Sequence, residues 1–240
     1  MWEQGWELIQ REGPWSFVHS GFIQLFVRTA DEIRSRRARV GQQVEVRMPC
    51  LREGLMPGFL YAFARAGGID PAAAHVRIYL NVQAETAARI FQTLLTAEPF
   101  ERLRFEMKMP STRAAFSRCD TMVVYAEPSN AHRLLRQLRA LKRTFPRGWR
   151  SPTPFAAWEI EPGIALAESP PLAAGAAQSF GQHRSGLVAR AVVEGLAFKE
   201  RTAALWAARL CALLQTEGID PQRPHRQRLE PAFWDRLIRS

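Results

Sequence analysis

Arg104–Tyr125 reads RFEMKMPSTRAAFSRCDTMVVY, and its two ends decide the fold. Arg104, Glu106 and Lys108 alternate with Phe105, Met107 and Met109, the period-two pattern of a strand with one buried face. Pro110 stops that run. Thr121 to Tyr125 is β-branched and aromatic, the composition of a strand in a sheet core. The residues between predict an exposed connection. Lys108, Arg118 and Asp120 then fall at the inner ends of the two strands. Of the 33 lysines and arginines only three are lysines, at 108, 142 and 199. Arginine effectively never loses its proton, whereas lysine can in a suitable site. Lys108 therefore reads either as a solvent-facing strand lysine or as a base.

Upstream, His75, Arg77, Tyr79 and Asn81 share one strand face, and Val76, Ile78, Leu80 and Val82 the other. The polar face either meets water or lines a site. Glu85–Leu95 has helical spacing. Phe59, Leu60, Phe63 and Ala64, between Pro57-Gly58 and Gly67-Gly68, predict a compact helix over about 58–66. Trp15–His19 and Phe22–Arg28 flank Ser20-Gly21, a hairpin signal. With Val44–Met48 they predict an antiparallel element over 12–48, and Asp31–Arg39 an exposed turn or short helix.

Downstream, Ser129 caps a helix to about Arg143 with Ala131, Leu134, Leu135, Leu138 and Leu141 on its apolar stripe. Its other face is basic, either a solvated surface or a dock for an acidic peptide or nucleic acid. Phe145–Pro154 predicts a lid or a cleft edge. Phe155–Trp158 and Ile164–Ala167 predict short strands. Helices follow from Ser179 to about Phe198 and from about Arg201 to Leu214, then an Arg- and Pro-rich tail ending in Phe233-Trp234. The expectation is one α+β domain over 1–240, with a core of about 10–215 and a tail over 216–240. Its sheet is antiparallel or mixed and covered by helices on one side. The open polar face would hold the site.

The formal charge of +10 is carried mainly by arginine, whose fork matches phosphate and carboxylate oxygens. An anionic partner is expected. Arg34, Arg36, Arg37 and Arg39 form either an anion site or a solvated face. Nothing in the basic segments resembles a base-stacking surface, so nucleic acid is not expected as a partner, and with no run of about 18 apolar residues neither is a membrane. Cys50, Cys119 and Cys211 have neither disulfide-scaffold nor metal-ligand spacing. With no long apolar run and no signal peptide, a cytoplasmic location is expected. Phosphate-loop, dinucleotide-binding, zinc-protease and serine-hydrolase motifs are absent.

Met56–Asn81, FEMK at 105–108, FSRCDTMVVY at 116–125 and SFGQHR at 179–184 resemble the HopA-type effector family. The resemblance runs over about residues 10–210. This family includes bacterial type III effectors. It also includes proteins encoded beside small kinases in clusters making class V lanthipeptides and thioamitides, and it is related by proposal to the bacterial phosphothreonine lyases. The resemblance implies a phosphoserine/phosphothreonine lyase fold and activity on a ribosomally synthesised precursor peptide, giving dehydroalanine or dehydrobutyrine. It implies no metal, no organic cofactor, and a small kinase-like partner.

Carried over by motif, Lys108 is the base, and Arg77, Arg118, Arg184 and Arg190 bind phosphate. Tyr79 stands where those lyases have a histidine acid, so the acid is Tyr79, His183 or His75. Asp120 orients an arginine. The alternative is a non-catalytic binder of phosphopeptide or leader peptide, partnering a kinase. A third reading is a secreted effector acting on host proteins.

Overall fold

The computed structural model describes residues 1–238 except 22, 36, 53, 71–72, 172–177 and 200–201. Phe22, Arg36 and Arg201, each singled out above, lie outside the described residues.

The first strands are β1 (Trp2–Glu12), β2 (Trp15–Ser20) and β3 (Ile23–Arg28), followed by a short helix α1 (Thr29–Glu32) and β4 (Gln43–Arg47). They form an antiparallel sheet of order β3-β2-β1-β4 with its own core: Trp6, Leu8, Val18, Val27, Ile33, Val44 and Val46. The expected hairpin is present, and β1 extends the element toward the N-terminus. This sheet stands apart from the one that carries the polar strand faces.

The second sheet comprises β5 (Leu51–Arg52), β6 (Phe59–Phe63), β7 (Val76–Leu80), β8 (Phe105–Pro110), β9 (Met122–Ala126), β10 (Trp158–Glu161) and β11 (Ile164–Glu168). Its order is β10-β11-β7-β9-β8-β6-β5, and every pair is antiparallel. The helix expected over 58–66 is instead β6. Phe59–Phe63 pairs with Pro110–Glu106 of β8, and both its faces are at least partly covered. A short apolar run covered on both faces has no alternation to distinguish it from a buried helix. Likewise β10 begins only at Trp158, since Phe155–Ala157 turn into it.

The remaining helices are α2 (Ala84–Thr96), α3 (Pro128–Thr144), α4 (Phe180–Ala197), α5 (Ala203–Thr216) and α6 (Pro231–Ile238). Helices α2, α3 and α6 contribute to one apolar core with the inward residues of the seven-stranded sheet, among them Ile78, Leu80, Phe105, Met107 and Val124. Trp234 of α6 is fully buried there, and Phe233 and Leu237 join it. The expected tail therefore closes the core. Helices α4 and α5 pack on each other through Leu187, Ala191, Leu213 and Leu214. No described helix is long and apolar enough to cross a membrane.

Candidate active site

The opposite face of the seven-stranded sheet carries the residues that alternate with the core. Tyr61, Tyr79, Val123, Tyr125, Ala165 and Ala167 cluster with Phe180 at the start of α4. The strand pairing sets Tyr61 beside Lys108, Lys108 beside Val123, and Tyr79 beside Val123. These residues floor a cleft with two compartments. The narrower, about 440 Å³, is lined by Phe59, Arg77, Tyr79, Lys108, Arg118, Asp120, Tyr125, Pro154 and the α4 start at Ser179–Gln182. The wider, about 540 Å³, shares Arg77, Lys108 and Tyr125 and adds Met56, Tyr61, His75, Glu106, Ser169 and Arg228.

Lys108 is half-buried at the junction. Its Nζ lies 4.7 Å from the Phe59 ring centre and 5.9 Å from that of Tyr125. Among the described residues its hydrogen-bond acceptor is the Met56 thioether at 3.4 Å, a weak acceptor. Burial lowers its pKa from the ordinary lysine value, and the positive charges of Arg77 and Arg118 lower it further against the pull of Asp120. Arg77 is held by two fixed acceptors, Ser169 Oγ at 2.8 Å from its Nε and the Gln178 carbonyl at 3.3 Å, with its guanidinium 5.3 Å from the Tyr125 ring centre. Arg118 donates twice to Asp120, at 2.7 and 2.8 Å, and remains half-exposed. Its loop is pinned by Arg150, whose Nη2 reaches the carbonyls of Phe116 and Arg118 at 2.5 and 3.3 Å.

Tyr79 and Tyr125 are both buried, and burial raises both hydroxyl pKa values, so each stays a proton-bearing donor at neutral pH. Ser179 caps α4 by accepting from Gln182 N–H, while the Gln182 side chain accepts from Ser179 N–H, a full capping box. The capped start of α4 thus faces the narrower compartment.

The structure brings Arg77, Tyr79, Lys108, Arg118 and Asp120 together, with His75 on the wider side. His75 is kept toward its neutral form by burial. It leaves the other three apart. Arg184 is 3% exposed and turned inward. Its guanidinium is spent on the Pro224 carbonyl, Gln227 and His183, and burial pulls its pKa down to about 10. On a helix, the residue that signals a phosphate arginine by sequence also has an inner face to serve. His183 stands against Arg184 and Glu217 and does not line the cleft. Arg190 pairs with Glu194 at 2.7 Å on the outer side of α4, six residues and a different helix face away from Arg184. The sequence reading passed over Glu106, Tyr61, Tyr125 and Arg228. Glu106 and Tyr125 alternate with core residues on β8 and β9, whereas Tyr61 sits in β6, whose two covered faces leave no period to read. Arg228 lay in a segment without periodicity.

Among the described residues no group of histidine, cysteine and carboxylate side chains could hold a metal ion. The three cysteines are unpaired thiols.

Residues 50–226, more than half of the chain, match the sequence model of the HopA1 effector protein family. The match begins after the four-stranded sheet, not at about residue 10, and stops short of Arg228 and α6. No curated protein matches the chain. The effector protein from Pseudomonas syringae pv. tomato strain DC3000 has a similar structure, with a TM-score of 0.55 and 18% identity, over 71% of this chain and 63% of that one. The effector protein from Pseudomonas syringae pv. syringae strain 61 gives a TM-score of 0.54 and 21% identity over the same shares. The chain thus spans just under two thirds of either protein, and the likeness is one of fold.

Proposed function

The chain belongs to the HopA1 effector protein family, and from that membership and the cleft geometry we propose that it is a lyase eliminating phosphate from phosphoserine or phosphothreonine in a peptide. The observation that carries this reading is Lys108. It is a half-buried amine with no carboxylate partner among the described residues, held between aromatic rings and beside two arginines. An amine so placed gives up its proton more readily than one in water, and the neighbouring arginines suit a dianionic substrate.

A peptidyl Cα–H is a very weak acid, so elimination needs a placed base and stabilisation of charge on both the carbonyl and the leaving group. Neutral Lys108 takes the Cα proton. The C–H electron pair becomes the Cα=Cβ bond. The Cβ–O bond breaks, and its pair leaves with the phosphate, which accepts a proton from the acid. Dehydroalanine or dehydrobutyrine and inorganic phosphate result; the Lys108 ammonium returns its proton to solvent and the acid regains one from solvent. Arg77 and Arg118 grip the phosphate, with Asp120 orienting Arg118. Tyr79 is the acid on this reading, because it lines the narrower compartment and burial keeps it protonated. Tyr125, between the compartments, donates to the enolate-like carbonyl. The substrate is a phosphorylated, ribosomally made precursor peptide, and a small kinase-like protein supplies the phosphate.

Incubation with phosphoserine and phosphothreonine peptides, followed by mass spectrometry, tests this. The expected product is lighter by one phosphoric acid. An unchanged mass, or an undiminished rate in Lys108→Ala, overturns it. A second reading, a phosphopeptide binder without turnover, draws on the double Arg118–Asp120 bond, which already occupies one edge of that guanidinium. Saturable binding with unchanged mass would select it.

A further inference from the structure

Glu168 ends β11 with no exposed surface. Burying a carboxylate costs free energy unless its oxygens are satisfied. Here the backbone N–H groups of three consecutive residues do so: Gln227 at 2.9 Å, Arg228 at 2.6 Å, and Leu229 at 3.0 and 3.1 Å. The Glu168 N–H donates in turn to the His225 carbonyl at 2.9 Å. Arg184 grips the same segment through the Pro224 carbonyl at 2.8 Å and Gln227 Oε1 at 3.3 Å. The His225 ring stacks on Trp158 and meets Trp234 edge-on. Five residues of irregular chain are thus fastened from three directions.

The side chain this delivers to the cleft is Arg228. It is exposed at the rim of the wider compartment and forms no ion pair among the described residues. Among the described residues lining that compartment the permanent cations are Arg77 and Arg228, beside the amine of Lys108, and the carboxylate is that of Glu106. Glu106 already accepts from the Tyr61 hydroxyl and from Ile69 N–H at 3.1 Å. The uncommitted charge is therefore positive. Arg228 does not line the narrower compartment, where Arg77 and Arg118 meet the phosphate.

We propose that Arg228 is a substrate-binding residue that takes the carboxylate of an acidic side chain flanking the phosphorylated residue, and that Glu168 is the positioning residue that holds it at the cleft. The identity of the ligand as a phosphopeptide rests on the lyase reading above. Glu168 and its neighbour Ser169, which holds Arg77, then make one strand end the support for arginines in both compartments.

The test uses phosphopeptides differing only in Glu, Gln or Lys at each flanking position in turn. At one or two positions Glu should lower KM about two- to fivefold relative to Gln, the scale of an ion pair to an exposed arginine. Arg228→Gln should erase that difference, and Arg228→Lys should keep part of it. Glu168→Gln should erase it too. Arg184→Lys, which loosens the same segment by a separate route, should shrink it even if Glu168→Gln does not fold. No preference for Glu at any position, or a preference untouched in Arg228→Gln, overturns the proposal. Calorimetric affinities of the same peptides for Lys108→Ala separate the two claims. A Glu preference there with no elimination by the wild-type chain sinks the lyase reading alone. Elimination without the preference sinks this one alone.

Discussion

The two faces of the seven-stranded sheet are made from the same strands and share nothing else. Val76, Ile78 and Leu80 enter the core while Arg77 and Tyr79 between them face the cleft. Phe105 and Met107 face inward while Glu106 and Lys108 face out. The central strands thus divide their residues between an apolar layer under α2, α3 and α6 and a layer of tyrosines, charges and small apolar side chains under the start of α4. The first layer lowers the free energy of the fold by removing apolar surface from water. The second holds a partly desolvated amine and the three buried phenols of Tyr61, Tyr79 and Tyr125, groups whose burial works against stability. Neighbouring residues in one strand should therefore fail in opposite ways when changed.

The largest effect should come at Lys108. Lys108→Met should cut elimination by roughly 10²- to 10⁴-fold, the usual scale for a general base. It should also melt no lower than wild type, since it removes a poorly solvated charge. The sign follows from the lowered pKa. Below the folded-state pKa the lysine is charged in both states and the fold carries the burial cost in full. That cost is relieved as pH rises toward the unfolded value of 10.5. A scanning-calorimetry melt well below wild type would mean that Lys108 supports the fold and break the contrast.

On the other face, Trp234→Ala should cost about 3–5 kcal/mol in denaturant titration, with turnover per folded molecule retained. A loss under 1 kcal/mol would mean that α6 is not part of the core. Returning to the cleft, Tyr79→Phe should slow elimination by roughly 10- to 100-fold and leave the melting temperature within a few degrees. An unchanged rate would move the acid elsewhere. The pH–rate profile sharpens the same face. Activity should rise with pH through the lowered lysine pKa, and Arg77→Met should move that inflection upward, because Arg77 is the larger of the two cationic contributions. The smallest effect is at the cap: Ser179→Ala should destabilise by about 1 kcal/mol, read by thermal melts.

Alternation made the site face legible. In β7 and β8 the period-two pattern alone sets Arg77, Tyr79 and Lys108 on one side, and antiparallel pairing through β9 brings them together. Where alternation is absent the sequence misleads. Phe59–Phe63 is covered on both faces, so it carries no period, and its strand identity comes from its partner β8. Arg184 shows a different limit. Its place in SFGQHR suggests a phosphate ligand, but a helix start offers several directions, and the inner one is taken by the Pro224 carbonyl and Gln227. The segment holding Arg228 has neither period nor motif. Its place is dictated by Glu168, whose distance in sequence hides the pairing.

That distance also sets an order of events in time. Glu168 meets its partner Arg228 across 60 residues of chain. At a synthesis rate of about 5–20 residues per second, the Glu168 carboxylate is made roughly 3–12 s before the backbone that satisfies it. During that interval β11 can pair with β7, yet its terminal carboxylate lacks the N–H donors of residues 227–229, and the core lacks Trp234. The nascent sheet would hold Arg77 and Lys108 without the wall that completes their cleft. A pulse-labelled ribosome-bound chain should accordingly show a protease-sensitive 158–168 hairpin until residues 224–237 emerge, so the cleft is among the last parts of the molecule to be sealed.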